Sequence, residues 1–95
     1  MAAYVIATVE ITDPEAYEEY RRRVPETIER HGGRFLVRGG ASEILEGSWQ
    51  PKRVVVLEFP DADAARRWYS SDEYGPLIEI RQRASNAHLL LVEGV

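Results

Sequence analysis

The spacing of apolar residues switches between strand and helical periods along this chain, and the switches mark predicted elements. Tyr4 to Ile11 (YVIATVEI) is β-branched and mostly apolar, which predicts a strand. Thr12-Asp13-Pro14-Glu15 then predicts a helix start, with Asp13 as N-cap, Pro14 at the first helical position and Glu15 set against the dipole. Ala16, Tyr17, Tyr20, Val24 and Ile28 recur at helical spacing. Pro25 removes a hydrogen bond and predicts a kink, and Gly32 suits a left-handed stop. Arg34 to Arg38 (RFLVR) reads as a second strand, Glu43 to Glu46 as a short extended piece, and Arg53 to Phe59 (RVVVLEF) as a third strand. Asp61 caps a helix carrying Ala65, Trp68 and Tyr69, which Ser70-Ser71-Asp72 interrupts. Ser71 can recap a continuation through Leu77, Ile78, Arg81 and Ala84, with Asn86 as its left-handed stop. Ala87 to Val92 closes the chain as a last strand.

The order β-α-β-β-α-β, joined by right-handed crossovers, predicts an α+β, ferredoxin-like domain over residues 1–95: an antiparallel sheet with two helices on one face. Alternation then sorts the side chains. Val5, Ala7, Val9, Val55, Leu57 and Phe59 take one face, and Tyr4, Ile6, Thr8, Val54, Val56 and Glu58 the other. In the second strand, strict alternation groups Phe35 with Val37 and Leu36 with Arg38. Two helices shield only one side, so Ile6, Leu36, Val54 and Val56 form an apolar patch large for a monomer. Packing sheet to sheet as a twofold homodimer buries it.

Composition narrows the options. With 12 basic and 16 acidic residues the net charge is −4, which argues against a nucleic-acid or anionic-membrane surface. There is no Cys, which excludes thiolate nucleophiles and Cys-ligated metals. Met1-Ala2-Ala3-Tyr4 lacks a signal-peptide pattern, and no apolar run approaches the roughly 18 residues of a membrane span, so the expectation is cytoplasmic. No Walker loop, GxGxxG or GxSxG pattern occurs, and His31 and His88 lie far apart without metal-ligand spacing. Neither a cofactor nor a metal is expected.

A family resemblance covers nearly the whole chain. His31-Gly32-Gly33 leads to Arg38-Gly39-Gly40; Glu46-Gly47-x-Trp49 follows, then Glu58-Phe59-Pro60, Trp68-Tyr69-Ser70-Ser71-x-x-Tyr74 and Glu93-Gly94. In this order the set resembles the bacterial domain-of-unknown-function 1330 family of the dimeric α/β-barrel superfamily. One departure is Asp72, where that family often has Pro. The resemblance implies a ferredoxin-like fold and a barrel-forming dimer, without an established activity. The wider superfamily contains cofactor-free monooxygenases, lactone isomerases and haem-handling enzymes, a fold-level analogy only.

Several residues are candidates for chemistry. Arg38 and Glu58, expected on one face, either line a pocket in which Arg38 grips a carboxylate or form a cross-strand salt bridge. Arg81 interrupts an apolar helical stripe and requires a carboxylate, which Glu58, Glu46, Glu93 or a ligand can supply. Trp49 is a pocket lid or an anchor on a partner subunit. Trp68 reads as core, while the Tyr69 and Tyr74 hydroxyls can serve a pocket as donors or weak acids. Glu18-Glu19 and Arg22-Arg23 form i,i+4 pairs on a solvated helix face.

The leading expectation is a homodimer with a small cavity between sheet and helices near Arg38, Glu58, Tyr69, Tyr74 and Arg81, taking a small carboxylate or aromatic ligand. The alternatives are a cofactor-independent enzyme, in which Arg38 orients an anion and His88 or Tyr74 moves a proton, and a dimeric interaction module without a ligand.

Overall fold

A computed structural model describes all 95 residues. Its elements are β1 (Ala3–Ile11), α1 (Pro14–Glu29), β2 (Arg34–Arg38), β3 (Arg53–Phe59), α2 (Ala62–Tyr69), α3 (Gly75–Ala84) and β4 (Ser85–Glu93). The strands form one antiparallel sheet in the order β2-β3-β1-β4. The chain folds as an α+β, ferredoxin-like domain, with the second predicted helix divided into α2 and α3.

The local signals act as their chemistry dictates. The Asp13 carboxylate accepts from the Ala16 N–H at 3.2 Å, and that of Asp61 from the Ala64 N–H at 2.8 Å. Gly32 ends the first helical segment at φ 76°. Beside it Gly33 serves close packing: a Cβ there would lie 2.6 Å from the Phe59 ring and 2.8 Å from Ile28. Ser71 divides α2 from α3, its hydroxyl donating to the Trp68 carbonyl at 2.8 Å and accepting from the Tyr74 N–H at 3.2 Å. Helix α1 continues through Pro25 as one element.

Three predicted details differ. Glu43 to Glu46 is not extended: segment 39–52 is a loop with no neighbouring strand, and Ile44 and Leu45 are exposed in it. Asn86 is not a left-handed stop, since no residue other than glycine has positive φ; α3 ends at Ala84, and the Ser85 hydroxyl, already in β4, donates to the Arg81 carbonyl at 2.6 Å. Glu18 reaches Arg21 at 3.7 Å rather than Arg22, while Glu19 and Arg23 pair at 2.8 Å.

The core lies between the sheet and the helices. Val5, Ala7, Val9, Leu57 and Phe59 from the sheet meet Tyr17, Tyr20, Val24 and Ile28 from α1, Trp68 from α2, and Tyr74 and Leu77 around α3. Trp68 anchors it: its ring lies 4.1 Å from that of Tyr74 and 5.4 Å from that of Phe59, centroid to centroid. Its indole N–H donates to the Thr27 hydroxyl at 3.0 Å, so the largest fully buried side chain leaves no polar atom unsatisfied.

The other side of the sheet has no cover. Ile6 is flanked by Val56 and Leu90, Tyr4 by Glu58 and Val92, and Thr8 by Val54 and His88. Leu36, Val37, Leu90 and Val92 are exposed. The molecule extends only 16 Å along its thinnest axis, the depth of one sheet and one helical layer.

Candidate functional site

A β-bulge decides which side chains meet. Register in β2 shifts between Phe35 and Val37: Phe35 faces Leu57, but Val37 faces Val56 and Arg38 faces Val55. One extra residue reverses the alternation. Arg38 therefore turns to the helical side, away from Glu58, which corrects the expectation of a shared face. Glu58 lies on the uncovered face and pairs with Arg34 at 2.8 Å. Arg38 instead donates to the Arg21 carbonyl of α1 at 2.6 Å, with its guanidinium carbon 4.4 Å from the centre of the Phe35 ring.

Between helices and sheet lies a cavity of about 40 Å³. Its walls are largely core residues, among them Val9, Tyr17, Val55, Trp68 and Leu89; its polar groups are Tyr20, Tyr74, Arg21, Arg38, Arg53 and Arg81. No Asp or Glu lines it, although the chain carries 16 acidic residues.

Tyr20 of α1 and Tyr74, at the start of α3, meet hydroxyl to hydroxyl at 2.7 Å inside the core. Burial raises the pKa of Tyr20 well above the ordinary tyrosine value, and the neighbouring Tyr74 adds to the rise. Burial likewise raises that of Tyr74, against the opposing influence of the Tyr20 hydrogen bond and of Arg81. Both hydroxyls therefore hold their protons at neutral pH. When one proton leaves, the better-supported anion is Tyr74, with a hydroxyl donor on one side and a cation on the other.

Arg81 is only 5% exposed. It enters none of the chain's ion pairs, and its Nε–H has no hydrogen-bond partner. Burial acts to lower its pKa, but the Tyr74 and Tyr20 hydroxyls outweigh this and the net shift is upward. Arg81 thus stays charged: a buried cation with no acid in its own chain. Arg53, at the start of β3, also has a buried Nε–H without a partner. Gly39, at φ 71°, brings bare backbone onto the Arg53 guanidinium, where any Cβ would collide with it. Partial burial and the nearby charges of Arg21 and Arg53 lower the pKa of Arg38.

Of the residues singled out from sequence, Arg38, Tyr74 and Arg81 come together at this cavity. Tyr69 does not line it but an adjoining apolar cleft of about 290 Å³ between α2 and β4, which shares Val5, Trp68 and Leu89 as a common wall. Glu58 and His88 belong to the uncovered face. His88 and Tyr74 are thus separated by the sheet and share no proton path within one chain. Trp49 projects from loop 39–52, 65% exposed, and lines neither hollow. Tyr20, Arg21 and Arg53 were missed. Tyr20 reads as one more apolar step of the α1 stripe, and its meeting with Tyr74 spans 54 positions. Arg53 carries a usable signal: it begins a β3 face that continues with Val55, Leu57 and Phe59.

The site has no cluster of His, Asp and Glu that can hold a metal ion, and no helix is long and apolar enough to cross a membrane. The geometry offers an apolar recess, a fixed inner cation, a paired phenol donor and further guanidinium groups. That set suits recognition of an acid group and stabilisation of an oxyanion.

Comparison with known proteins bears on the fold. A protein of unknown function from Rhodopseudomonas palustris is similar over 99% of this chain and 82% of its own, with TM-score 0.79 and 20% identity. A dimeric ferredoxin-like protein of unknown function from Jannaschia sp. is similar over 99% and 100%, with TM-score 0.73 and 11% identity. SnoaB, a cofactor-independent oxygenase from Streptomyces nogalater, is similar over 99% and 93%, with TM-score 0.68 and 16% identity. At these identities the likeness is one of fold. No curated protein matches the chain. The family model described as domain of unknown function (DUF1330) matches residues 2–95, and the chain belongs to that family.

Proposed function

We propose that this protein binds a small organic acid in the cavity between sheet and helices, as a homodimer joined through the uncovered sheet face. The observation that carries the reading is Arg81: a buried guanidinium, without an acid partner, beside the Tyr20–Tyr74 pair. A buried guanidinium with an open N–H and no acid beside it is a donor that a bound carboxylate can satisfy. The apolar wall selects a ligand with a hydrocarbon body, and the cavity admits about three waters' worth of it.

The dimer rests on Ile6, Val54, Val56, Leu90 and Val92, which face outward with nothing over them. At roughly 25 cal/mol per Å², covering them is worth several kcal/mol per protomer before association costs. The Jannaschia protein, dimeric and of the same fold, supports a dimer.

The hydroxyl pair favours a second reading, an enzyme without a cofactor. Tyr74 is then the proton donor to an oxyanion that Arg81 stabilises, with Tyr20 holding the Tyr74 hydroxyl in place. SnoaB, of similar fold, is a cofactor-independent oxygenase, which supports the possibility of such chemistry on this scaffold.

Calorimetric titration with butyrate, butanol and butylamine tests the binding reading. The acid is expected to bind, and the alcohol and the amine are not. Equal behaviour of all three removes the role given to Arg81.

A further inference from the structure

The cavity has a second cationic pole. Arg81 enters from α3, which packs on β4 at one edge of the sheet. Arg38 and Arg53 enter from β2 and β3 towards the other edge, and Arg21 reaches the same place from α1. β1 lies between β3, which bears Arg53, and β4, on which α3 packs, so these two strands are about 10 Å apart.

The second pole is short of negative charge. Neither Arg38 nor Arg53 enters an ion pair. Arg21 has only Glu18, at 3.7 Å on the outer helix surface. The buried Nε–H of Arg53 has no acceptor, and the Gly39 backbone packed on its guanidinium leaves that side chain little room to turn away. Converging guanidinium groups repel one another, and this chain has acids to spare elsewhere, with 16 against 12 bases. The rest of the lining is largely apolar.

Building on the proposed function, we infer that the ligand carries two acid groups on a short carbon spacer, one held by Arg81 and one by Arg53 with Arg38. The small cavity limits the spacer. Arg81, Arg53 and Arg38 line one and the same small hollow, which favours a spacer of few carbons. A dicarboxylate of succinate size meets these limits, and butyrate is its counterpart with one acid group removed.

The test titrates succinate and butyrate into the wild-type protein, Arg53→Met, Arg53→Lys and Arg81→Met, with circular dichroism confirming that each variant is folded. In the wild type, succinate binds at least about tenfold tighter than butyrate, the gain expected of a second charge-assisted contact. Arg53→Met brings the two acids to within about threefold of each other, Arg53→Lys retains part of the preference, and Arg81→Met weakens both at least about tenfold. Butyrate binding as tightly as succinate, or a full succinate preference in Arg53→Met, overturns the two-acid inference and leaves the one-acid reading standing. If neither acid binds the wild type, the proposed function fails, and this inference fails with it.

Discussion

The two faces of the sheet carry similar amounts of hydrocarbon and opposite arrangements of charge. On the helical face, Val5, Ala7, Val9, Leu57 and Phe59 are buried, and the cations among them, Arg81 above all, have no acid partner. On the other face, Ile6, Val54, Val56 and Leu90 lack cover, and the prominent ion pair, Arg34 with Glu58, is complete. The covered face is thus satisfied in its apolar groups and unsatisfied in its charges, while the open face is the reverse. Each deficit points to a different partner: an acid for the first, an apolar surface for the second.

The largest effect belongs to Trp68→Ala, which empties the centre of the helical side. It should cost about 3–5 kcal/mol in denaturant unfolding, as large aromatic deletions do. A loss below about 1 kcal/mol would show that the core does not rest on this residue.

Next is the open face. Ile6→Asp places a charge in the middle row of the sheet, between Val56 and Leu90. Sedimentation should find the wild type near twice 10.8 kDa and the variant near 10.8 kDa, with association weakened by about 2–4 kcal/mol. A wild-type monomer at micromolar concentration sinks the dimer.

A smaller effect separates the faces by pH. Tyr20 and Tyr74 have raised pKa values in the folded protein, so folding favours their protonated forms. Their contribution is fully present below the unfolded tyrosine pKa of about 10 and is lost as pH rises beyond it. Melting temperature should therefore fall above about pH 10, less steeply in Tyr20→Phe than in wild type. Tyr20→Phe also leaves the Tyr74 hydroxyl without its partner, at a cost of about 1–2 kcal/mol at neutral pH. An identical alkaline slope in the variant contradicts the assignment.

The smallest effect is expected from Glu58→Gln. Its partner Arg34 is 70% exposed, so chemical denaturation of the monomeric Ile6→Asp background should change by under about 1 kcal/mol. A larger loss would make the open face electrostatically costly after all.

Much of the fold was legible because its signals are local. Asp13, Asp61 and Ser71 act on backbone groups three residues away, and Gly32 needs only its own φ. The site was legible in part. Arg81 betrayed itself by breaking an apolar stripe, and Tyr74 by its place near Trp68. Arg38 was assigned to the wrong face because strict alternation contains no sign of the bulge at Leu36; a bulge is settled by pairing with β3, which a single strand does not encode. Glu43 to Glu46 has strand-like residues but no strand beside it, so composition outran pairing there. Tyr20 and Tyr74 meet only once α1 packs on α3, a contact that no local pattern announces.

On the covered face Arg81 is a buried cation kept without an acid of its own. Unfolding of Arg81→Met beside the wild type, with and without succinate, tests this directly. Without ligand the variant should be the more stable by about 1 kcal/mol, since an apolar side chain replaces a buried charge without an acid partner, and succinate should raise the stability of the wild type well above its effect on the variant. A variant less stable than the wild type, with succinate leaving both unmoved, would contradict the account.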